Sequence, residues 1–315
     1  MKQQQGIALI TILVMVALAT ILAATIAKRQ ANTAENTAYL MRQNQSLLYA
    51  KSAEAFFSEL LVDDAENAGD IDHLQENWAK PMPAFPVEDG FVSGTLQDES
   101  SKFNLNSLVN IDGTPNPQAK IWFEKLLVRV GLPEKLSEAV IDWQDADDET
   151  IGAMGAEASY YQGLPHGYLA PNSKFHSVEE LKLVRGFEGQ KYLQIADYVS
   201  AAPASDTKVN INTAPAMLLA SLDPKLDVNA VQDILQQRQA NLEYFSNIND
   251  LWAIEPFTQV NTDVRNEVND LLGVQSSYFK ARIEVLLSER KRQFSSDLVR
   301  KDKIVYVAYR SMAPF

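Results

Sequence analysis

The feature that most constrains this chain is an uncharged apolar segment near its amino terminus. It covers residues 7–27, follows a polar leader of residues 1–6 (MKQQQG), and ends at Lys28 and Arg29. About 20 consecutive apolar residues form a helix long enough to cross the roughly 30 Å hydrocarbon core of a membrane. Because neither Pro nor Gly occurs between Arg29 and Gly69, the segment is predicted to begin one very long helix. The alternative is two helices with a break near Lys28.

The apolar segment has three interpretations. A cleaved secretory signal has an apolar core of about 7–15 residues and then a small-residue cleavage site, but this segment is longer and residues 25–27 make a poor site. A simple membrane anchor is the second. We favour the third, a prepilin-type signal, because Gly6 directly precedes Ile7 where the leader meets the helix. Prepilin peptidase would then cut between them. Basic residues flank the segment on both sides, so a cytoplasmic N-terminus rests on this resemblance.

Composition narrows the function classes. The chain has 315 residues, a formal net charge of −13 and no cysteine. Its length suggests about two domains. Nucleic-acid-binding proteins carry basic patches, so an acidic chain is expected to bind cations or basic protein surfaces instead. Without cysteine there are no disulfides, thiolate nucleophiles or cysteine-based metal sites.

Two groups of predicted strands lie far apart in the sequence. Residues 90–105 alternate polar and apolar side chains, and the sequence Asp-Glu-Ser-Ser at 98–101 predicts a hairpin turn there. The second group is C-terminal and has the same period; its members are residues 278–290, 293–301 and 303–310. These strands are predicted to form an antiparallel sheet, half covered by the amphipathic residues 31–61 of the long helix. The intervening residues are predicted to be mostly helical, so the fold class is α+β.

Five short motifs carry a family resemblance. They are FNLNSL at 103–108, DWQDADD at 142–148, GAE with a later YY at 155–161, ELKLVRG at 180–186 and VNINTAP at 209–215. Together with the prepilin-like start they resemble protein K of the general secretion pathway, the large minor pseudopilins of type II secretion systems. The motifs occur in family order, and the resemblance covers nearly the whole chain.

The resemblance implies a pilin-like fold, with a long N-terminal helix packed on an antiparallel sheet and a large inserted all-helical domain. The implied divisions are a leader at 1–6, the membrane and pilin helix at 7–62, a discontinuous pilin-like domain at 63–105 and 277–315, and the inserted domain at 106–276. It also implies a single-pass protein of the inner membrane, with most of the chain in the periplasm.

The family also implies a place at the tip of the pseudopilus, with the minor pseudopilins called proteins I and J as partners. Most pilin-like proteins carry Glu at the fifth residue after the cut, where it pairs with the amino terminus of a neighbouring subunit. Here that residue is Thr11, as the family pattern expects. A carboxylate in hydrocarbon is costly unless it is paired, so Thr11 suits a subunit with nothing above it. The alternative is an ordinary membrane-helix threonine bonded to its own backbone.

An acidic segment is the candidate metal site. Residues 142–157 carry six carboxylates, those of Asp142, Asp145, Asp147, Asp148, Glu149 and Glu157. Asp145, Asp147 and Glu149 follow the one–three–five spacing of an EF-hand, but the later positions of that motif do not match. Ca²⁺ takes six to eight oxygen ligands from flexible loops, and proteins resembling this one bind calcium in this region. We therefore predict a calcium site. Its candidate ligands are Asp145, Asp147, Asp148, Glu149 and Glu157, and Asp145, Asp147 and Glu157 come first. The alternative is a solvated acidic loop.

Nucleic-acid binding is not expected. Residues 210–215, with Arg238 and Phe245, resemble a helix-hairpin-helix module, which binds DNA phosphates through a hairpin that contains Gly. In this chain the corresponding residues 222–227 (LDPKLD) lack Gly and carry two Asp. Two Asp in this hairpin would repel phosphate, so the module is predicted to serve packing.

Catalysis is not expected either. The three histidines lack metal-ligand spacing, and neither a nucleophile elbow nor a P-loop occurs. Two alternative functions stay open at this point. One is a minor tip pilin of a type IV pilus that acts in adhesion or DNA uptake. The other is a membrane-anchored periplasmic hydrolase that uses the acidic segment for glycoside chemistry.

Overall fold

The computed structural model describes residues 5–312, and its dominant element is a single helix. Helix α1 runs without interruption from Gln5 to Asn67, so there is no break near Lys28. It ends five residues beyond the predicted boundary at 62, and at 1.5 Å per residue it is about 95 Å long. Residues 1–4, which carry Lys2 of the leader, lie outside the described residues.

A five-stranded antiparallel sheet packs on the second half of α1. Its strands, in the spatial order β1-β2-β7-β8-β9, are β1 Met82–Val87, β2 Gly90–Asp98, β7 Tyr278–Leu287, β8 Arg290–Lys301 and β9 Ile304–Ser311. The three C-terminal strands agree with the predicted ones. The register pairs Asp98 with Phe279 at one end of the sheet and Gly90 with Leu287 at the other. Apolar side chains of α1, among them Ala50, Phe57 and Leu61, fill the space between helix and sheet.

The predicted hairpin at residues 98–101 is wrong. The hairpin at this edge of the sheet joins β1 to β2 and turns at Glu88 and Asp89. Sequence reasoning missed β1 because Pro83 and Pro86 argue against a strand, although proline is tolerated at a sheet edge. Residues 98–101 end β2 instead: Asp98 Oδ1 accepts a hydrogen bond from Ser100 N at 2.8 Å, and the chain leaves the sheet there.

The inserted region is mainly helical. Its helices are α2 Pro117–Arg129, α3 Leu136–Asp142, α4 Ala158–Gln162, α5 Gln190–Ile195, α6 Ala216–Ala220, α7 Val228–Ala240, α8 Ile248–Trp252 and α9 Thr262–Val268. Two parallel strand pairs join them, β3 Phe103–Asn104 with β4 Val199–Ser200 and β5 Val209–Asn210 with β6 Leu272–Gly273. Helix α6 begins only at Ala216, because Asn210 lies in β5 and Pro215 precedes the first turn of α6. Residues Val178–Leu183 form a 3-10 helix.

The described residues form two hydrophobic cores. The smaller lies between α1 and the sheet and includes Trp78 and Phe279. The larger belongs to the inserted helices and includes Trp122 and Tyr161. Phe103 and Leu105, on the pilin-like side of the predicted boundary at 105, pack in this larger core. We call α1 with the five-stranded sheet the pilin-like domain, and the helical region around the larger core the inserted domain.

The inserted domain is attached at the end of the sheet that is far from the apolar segment of residues 7–27. At the near end, Arg292 Nη1 of β8 donates to Arg42 O of α1 at 3.1 Å. At the far end, Arg300 Nη1 of the same strand donates to Asp64 Oδ2 at 2.7 Å. These two contacts lie about 33 Å apart along α1. Asp98, where the chain leaves the sheet, is paired with Phe279 at the far end.

Candidate functional site

Helix α3 places two carboxylates on one face and a third just beyond its last turn. Glu138 and Asp142 are four residues apart, so they lie one above the other. Asp145 N still bonds Ile141 O at 3.0 Å, which continues the helical path and brings Asp145 beside Asp142. Negative charge at a helix C-terminus is unfavourable, since the helix dipole is negative there. The arrangement therefore requires compensation by a cation or by protonation.

The acidic loop folds back over these carboxylates. Ile151 N donates to both oxygens of Asp142, at 3.1 and 3.2 Å, and Met154 N donates to Glu138 Oε2 at 2.9 Å. Glycine is required at two positions of this loop. A Cβ on Gly152, which has φ +64°, would overlap the Glu138 carboxylate, and one on Gly155 would overlap that of Asp142.

Three carboxylates converge in the enclosed space that results. Asp142, Asp145 and Glu157 each offer an oxygen within 4.8 Å of the other two. They are 0, 4 and 3 % exposed. Among the described residues, Asp145 Oδ1 and both Glu157 oxygens have no hydrogen-bond partner. We call these three residues the carboxylate cluster.

The pKa values of all three carboxylates are raised, first by burial and then by repulsion from neighbouring carboxylates. Burial raises the pKa of Asp142 to about 6, and it raises the pKa values of Asp145 and Glu157 to about 7. Repulsion among the three groups acts in the same direction. Arg185, a neighbouring cation, donates to Gly155 O at 2.8 Å and lies 4.9 Å over the Tyr160 ring. Among the described residues, no ion pair joins Arg185 to any of the three carboxylates, so near neutral pH the cluster is either partly protonated or bound to a cation.

The donor set fits Ca²⁺. Buried carboxylate oxygens without hydrogen-bond donors are hard ligands, and the backbone and exposed side chains of the adjoining loop would supply the further oxygens that this ion takes. Two of the predicted ligands, Asp145 and Glu157, lie in the cluster. Asp147, Asp148 and Glu149 are exposed, and Asp147 Oδ1 accepts from Glu149 N at 2.8 Å.

Sequence reasoning omitted Asp142 from the ligand list. The available signal was its spacing of three residues from Asp145. On a helical path this spacing brings both side chains to the same side of the chain.

The start of α1 holds the other predicted site residues. Ile7 is exposed and follows Gly6 inside the helix. Thr11 Oγ1 donates to Ile7 O at 2.8 Å. Thr20 and Thr25 make the same bond to the residue four positions earlier. One helix of the described chain, from Ile7 to Asn67, is long and apolar enough to span a membrane, and none of its apolar window is buried.

Comparison with known proteins identifies the family. Sequence profiles described as "Type II secretion system (T2SS), protein K" match residues 101–204 and 209–275. A protein of that name from Aeromonas hydrophila is 31% identical over 95% of this chain and 94% of its own length. Its counterpart from Pseudomonas aeruginosa is 32% identical over 99% of this chain and 93% of its own.

The chain belongs to the type II secretion system protein K family.

The family fold is confirmed by a solved structure. The chain resembles a chain in the crystal structure of the GspK-GspI-GspJ complex of the type 2 secretion system of enterotoxigenic Escherichia coli, with a TM-score of 0.80. The match is 24% identical in sequence and covers 89% of this chain and 100% of the other. Membership of the protein K family gives this chain its role as a minor pseudopilin of the type II secretion pseudopilus.

In this protein K family member the residues that resemble a helix-hairpin-helix module serve packing. Arg238 lies 4.3 Å over the Phe245 ring, and its Nη2 donates to Tyr244 O at 2.9 Å. Asn212 bonds both backbone groups of Phe245. Between α6 and α7, Asp227 caps α7 through Ala230 N at 2.9 Å. The basic and polar residues of the motif are thus used inside the inserted domain.

Proposed function

We propose that this chain is a tip subunit of the pseudopilus, where it joins the I- and J-type minor pseudopilins and helps to initiate or cap assembly for export of folded exoproteins. The observation that carries the proposal is the position of the inserted domain. It is attached at the membrane-distal end of the sheet, beside the contact of Arg300 with Asp64. A bulky domain there occupies the space into which a further subunit would stack, so it suits the end of a filament.

Thr11 supports the same position. A carboxylate at this place in the apolar segment needs a partner amine. The amino terminus of a subunit above would supply that amine, and a terminal subunit has no subunit above it. Thr11 satisfies its hydroxyl within α1 instead. Support for the partners comes from the Escherichia coli relative, whose structure was solved as a complex of GspK with GspI and GspJ.

The same proposal places the chain in the inner membrane by a single span, with most of its mass in the periplasm. The unbroken apolar start of α1 supports an anchor of this kind. Prepilin peptidase would remove residues 1–6 by cutting between Gly6 and Ile7 on the cytoplasmic side. That cut leaves α1 attached, which suits a subunit whose helix continues directly into its sheet-covering half.

Calcium belongs to the proposal as a structural cofactor. Asp142, Asp145 and Glu157 would hold the ion, and it would neutralise charge that the fold otherwise buries without partners. Exposed Asp147, Asp148 and Glu149 lie in the adjoining loop, and their charge would raise the local concentration of cations. The ion would thereby fix the loop on helix α3.

A structural role is proposed in preference to an enzymatic one. Glycoside hydrolysis needs two carboxyl groups facing a cleft that admits substrate. The cluster residues are at most 4% exposed and are covered by the acidic loop, so no substrate could reach them in this conformation.

Immunogold electron microscopy tests the proposed position. An epitope is placed at the exposed loop around Ile111 in the full chain, and pseudopili are lengthened by overproducing the main filament subunit. Gold at one end of each filament is expected, with the epitope-tagged main subunit as the control that labels the whole length. Gold along the filament for this chain would contradict a terminal position. Co-purification of I- and J-type subunits with the same chain tests the partners.

A further inference from the structure

A buried polar group of side chains joins the two domains. The chain crosses between them after Asp98 and again before Tyr278, and the segment that follows α1 passes the same place. We call the following six residues the junction cluster: Asp72, Asp98, Asn210, Thr213, Ser276 and Arg300. Five of the six are at most 7% exposed, and Thr213 is half-buried.

Asp98 connects the pilin-like sheet to the inserted domain. Its Oδ2 accepts from Thr213 Oγ1 at 2.5 Å and from Ser276 Oγ at 2.6 Å. Thr213 stands just before α6, 115 residues along the chain. Asp98 Oδ1 accepts from Ser100 N at 2.8 Å. One carboxylate at the end of β2 therefore binds the inserted domain and the segment by which the chain returns from it.

Arg300 connects the same place to helix α1. Besides Asp64, it bonds both oxygens of Asp72 at 2.5 Å and donates to Ser276 O at 2.7 Å. Asp72 Oδ2 also accepts from Ser276 N at 2.6 Å, and its backbone O accepts from Asn210 Nδ2 at 3.0 Å. A continuous path of charged and hydroxyl groups thus runs from α1 through β8 to the inserted domain.

The two hydrophobic cores do not supply this connection. Among the described residues the two cores share no member, since one lies on α1 and the sheet and the other among the inserted helices. Domains joined by polar contacts and short linkers are expected to move relative to each other. Breaking a satisfied buried network leaves groups without partners, which is costly, so such a network resists that movement.

We propose that the junction cluster holds the inserted domain in one orientation on the pilin-like domain, so that displacement of α1 along its axis moves both domains as one body. The functional part rests on the proposed place in the pseudopilus, where movement of the membrane helix must reach the distal end of the subunit. The fixed orientation of the two domains is a property of the isolated molecule and does not depend on that place. Thr213 and Ser276 are the positioning residues, because they carry the contact of the inserted domain and its return segment with Asp98.

Distance measurement between two spin labels tests the proposal on the full chain in detergent micelles. The chain has no cysteine, so cysteines introduced at exposed Glu59 on α1 and Gln237 on α7 are its only labelling sites. A single narrow distance distribution is expected for the otherwise unchanged chain. Thr213→Val with Ser276→Ala is expected to broaden it about twofold or more, since the inserted domain and its return segment then lose their side-chain hydrogen bonds to Asp98 and can tilt further.

Matched variants separate orientation from folding. Thr207→Val removes a hydroxyl that bonds Ala204 O within the inserted domain, and Ser58→Ala removes one that bonds Glu54 O within α1. Both should keep the narrow distance distribution. Thr213→Ser, which keeps the hydroxyl that donates to Asp98, should keep it as well. Near-ultraviolet circular dichroism confirms that each variant is folded. A narrow distribution in the folded double variant would overturn the proposal. Because no filament is present, this outcome is independent of the tip position tested by immunogold labelling.

Discussion

Arg310 of the last strand forms a two-pronged ion pair with Glu54 of α1. Its Nε lies 2.7 Å from Oε2, and its Nη2 lies 2.8 Å from Oε1. The Glu54 carboxylate is buried, and Ser296 Oγ also donates to it, at 2.5 Å. We expect Arg310→Ala to lower the free energy of unfolding by about 1–3 kcal/mol, because a buried carboxylate is left underpaired.

Urea denaturation of the full chain in detergent measures this effect. Lys303→Ala, which removes an exposed cation next to the same strand, is the control and should leave the midpoint almost unchanged. Equal midpoints for Arg310→Ala and Lys303→Ala would show that the pair adds nothing to stability, as holds for many exposed ion pairs.

Calcium is expected to stabilise the folded chain through the carboxylate cluster. An ion that binds only the folded state adds about 2.7 kcal/mol at a hundredfold excess over its Kd, so chelation should lower the melting temperature by several degrees. Mg²⁺ should restore little, because it requires a tighter octahedral site and retains its waters. Asp145→Asn should abolish the calcium response. Differential scanning calorimetry and elemental analysis measure both effects.

Variants in the acidic loop determine which carboxylates bind the ion. Asp147→Ala is expected to weaken the calcium response, because Asp147 is among the predicted ligands and lies beside the cluster. Asp206→Asn, an exposed acid in another loop of the inserted domain, is the control. A melting curve that chelation leaves unchanged, with no calcium in the purified chain, would return the segment to a solvated acidic loop.

Processing is expected to occur between Gly6 and Ile7. The mature chain should then begin with Ile7, with a methylated amino group as in pilin-like proteins. N-terminal mass spectrometry of the chain from membranes decides the point. A mature chain that begins near Lys28 would mean release by ordinary signal peptidase and would exclude a helix that stays anchored.

Substitution of Thr11 tests the tip position from the membrane side. Thr11→Glu should impair secretion of a reporter exoprotein more than Thr11→Val does. The glutamate would lie in the apolar segment without an amine above it, whereas valine keeps the shape and removes only the hydroxyl bonded to Ile7 O. Normal secretion with Thr11→Glu and failure with Thr11→Val would contradict this reasoning.

The stability of the domain junction is expected to fall as the pH rises. Burial raises the pKa of Asp98 from its ordinary 3.8 to about 7, and repulsion by Asp72 adds to the rise, while the hydrogen bonds from Ser276 and Thr213 oppose it. Since the folded pKa lies above the unfolded one, the contribution of Asp98 is fully present below about pH 4 and is lost as the pH rises through about 7.

Asp98→Asn removes this titration and keeps an oxygen and an amide for the three neighbours. The stability of the variant relative to the unchanged chain should therefore increase between about pH 4 and pH 7. Urea midpoints at several pH values in that range measure the difference, and Asp206→Asn is the surface control. Parallel pH profiles for Asp98→Asn and the unchanged chain would show that Asp98 does not titrate in this range.

The elements with a strong local period could be predicted without any coordinates. An apolar segment without Pro or Gly favours one long helix, and α1 is continuous through Lys28 for this reason. Strict alternation predicted β7, β8 and β9, since a period of two is a property of neighbouring residues. The five motifs indicated the family, because each consists of residues close together in the chain and needs no knowledge of the fold to be found.

Long-range pairing had to come from the tertiary structure. Whether residues 98–101 turn back into a hairpin depends on Tyr278, which lies 178 residues beyond Ser100 and bonds its hydroxyl. Only the packed chain shows that Asp142 joins Asp145 and Glu157 while Asp147 stays exposed, or that Asp98 faces Thr213. The sequence alone determined the long apolar helix, the three C-terminal strands and the supply of carboxylates, because these follow from local periodicity and composition. The choice among the carboxylates, and the attachment of one domain to the other, depend on contacts between distant residues that no local pattern encodes.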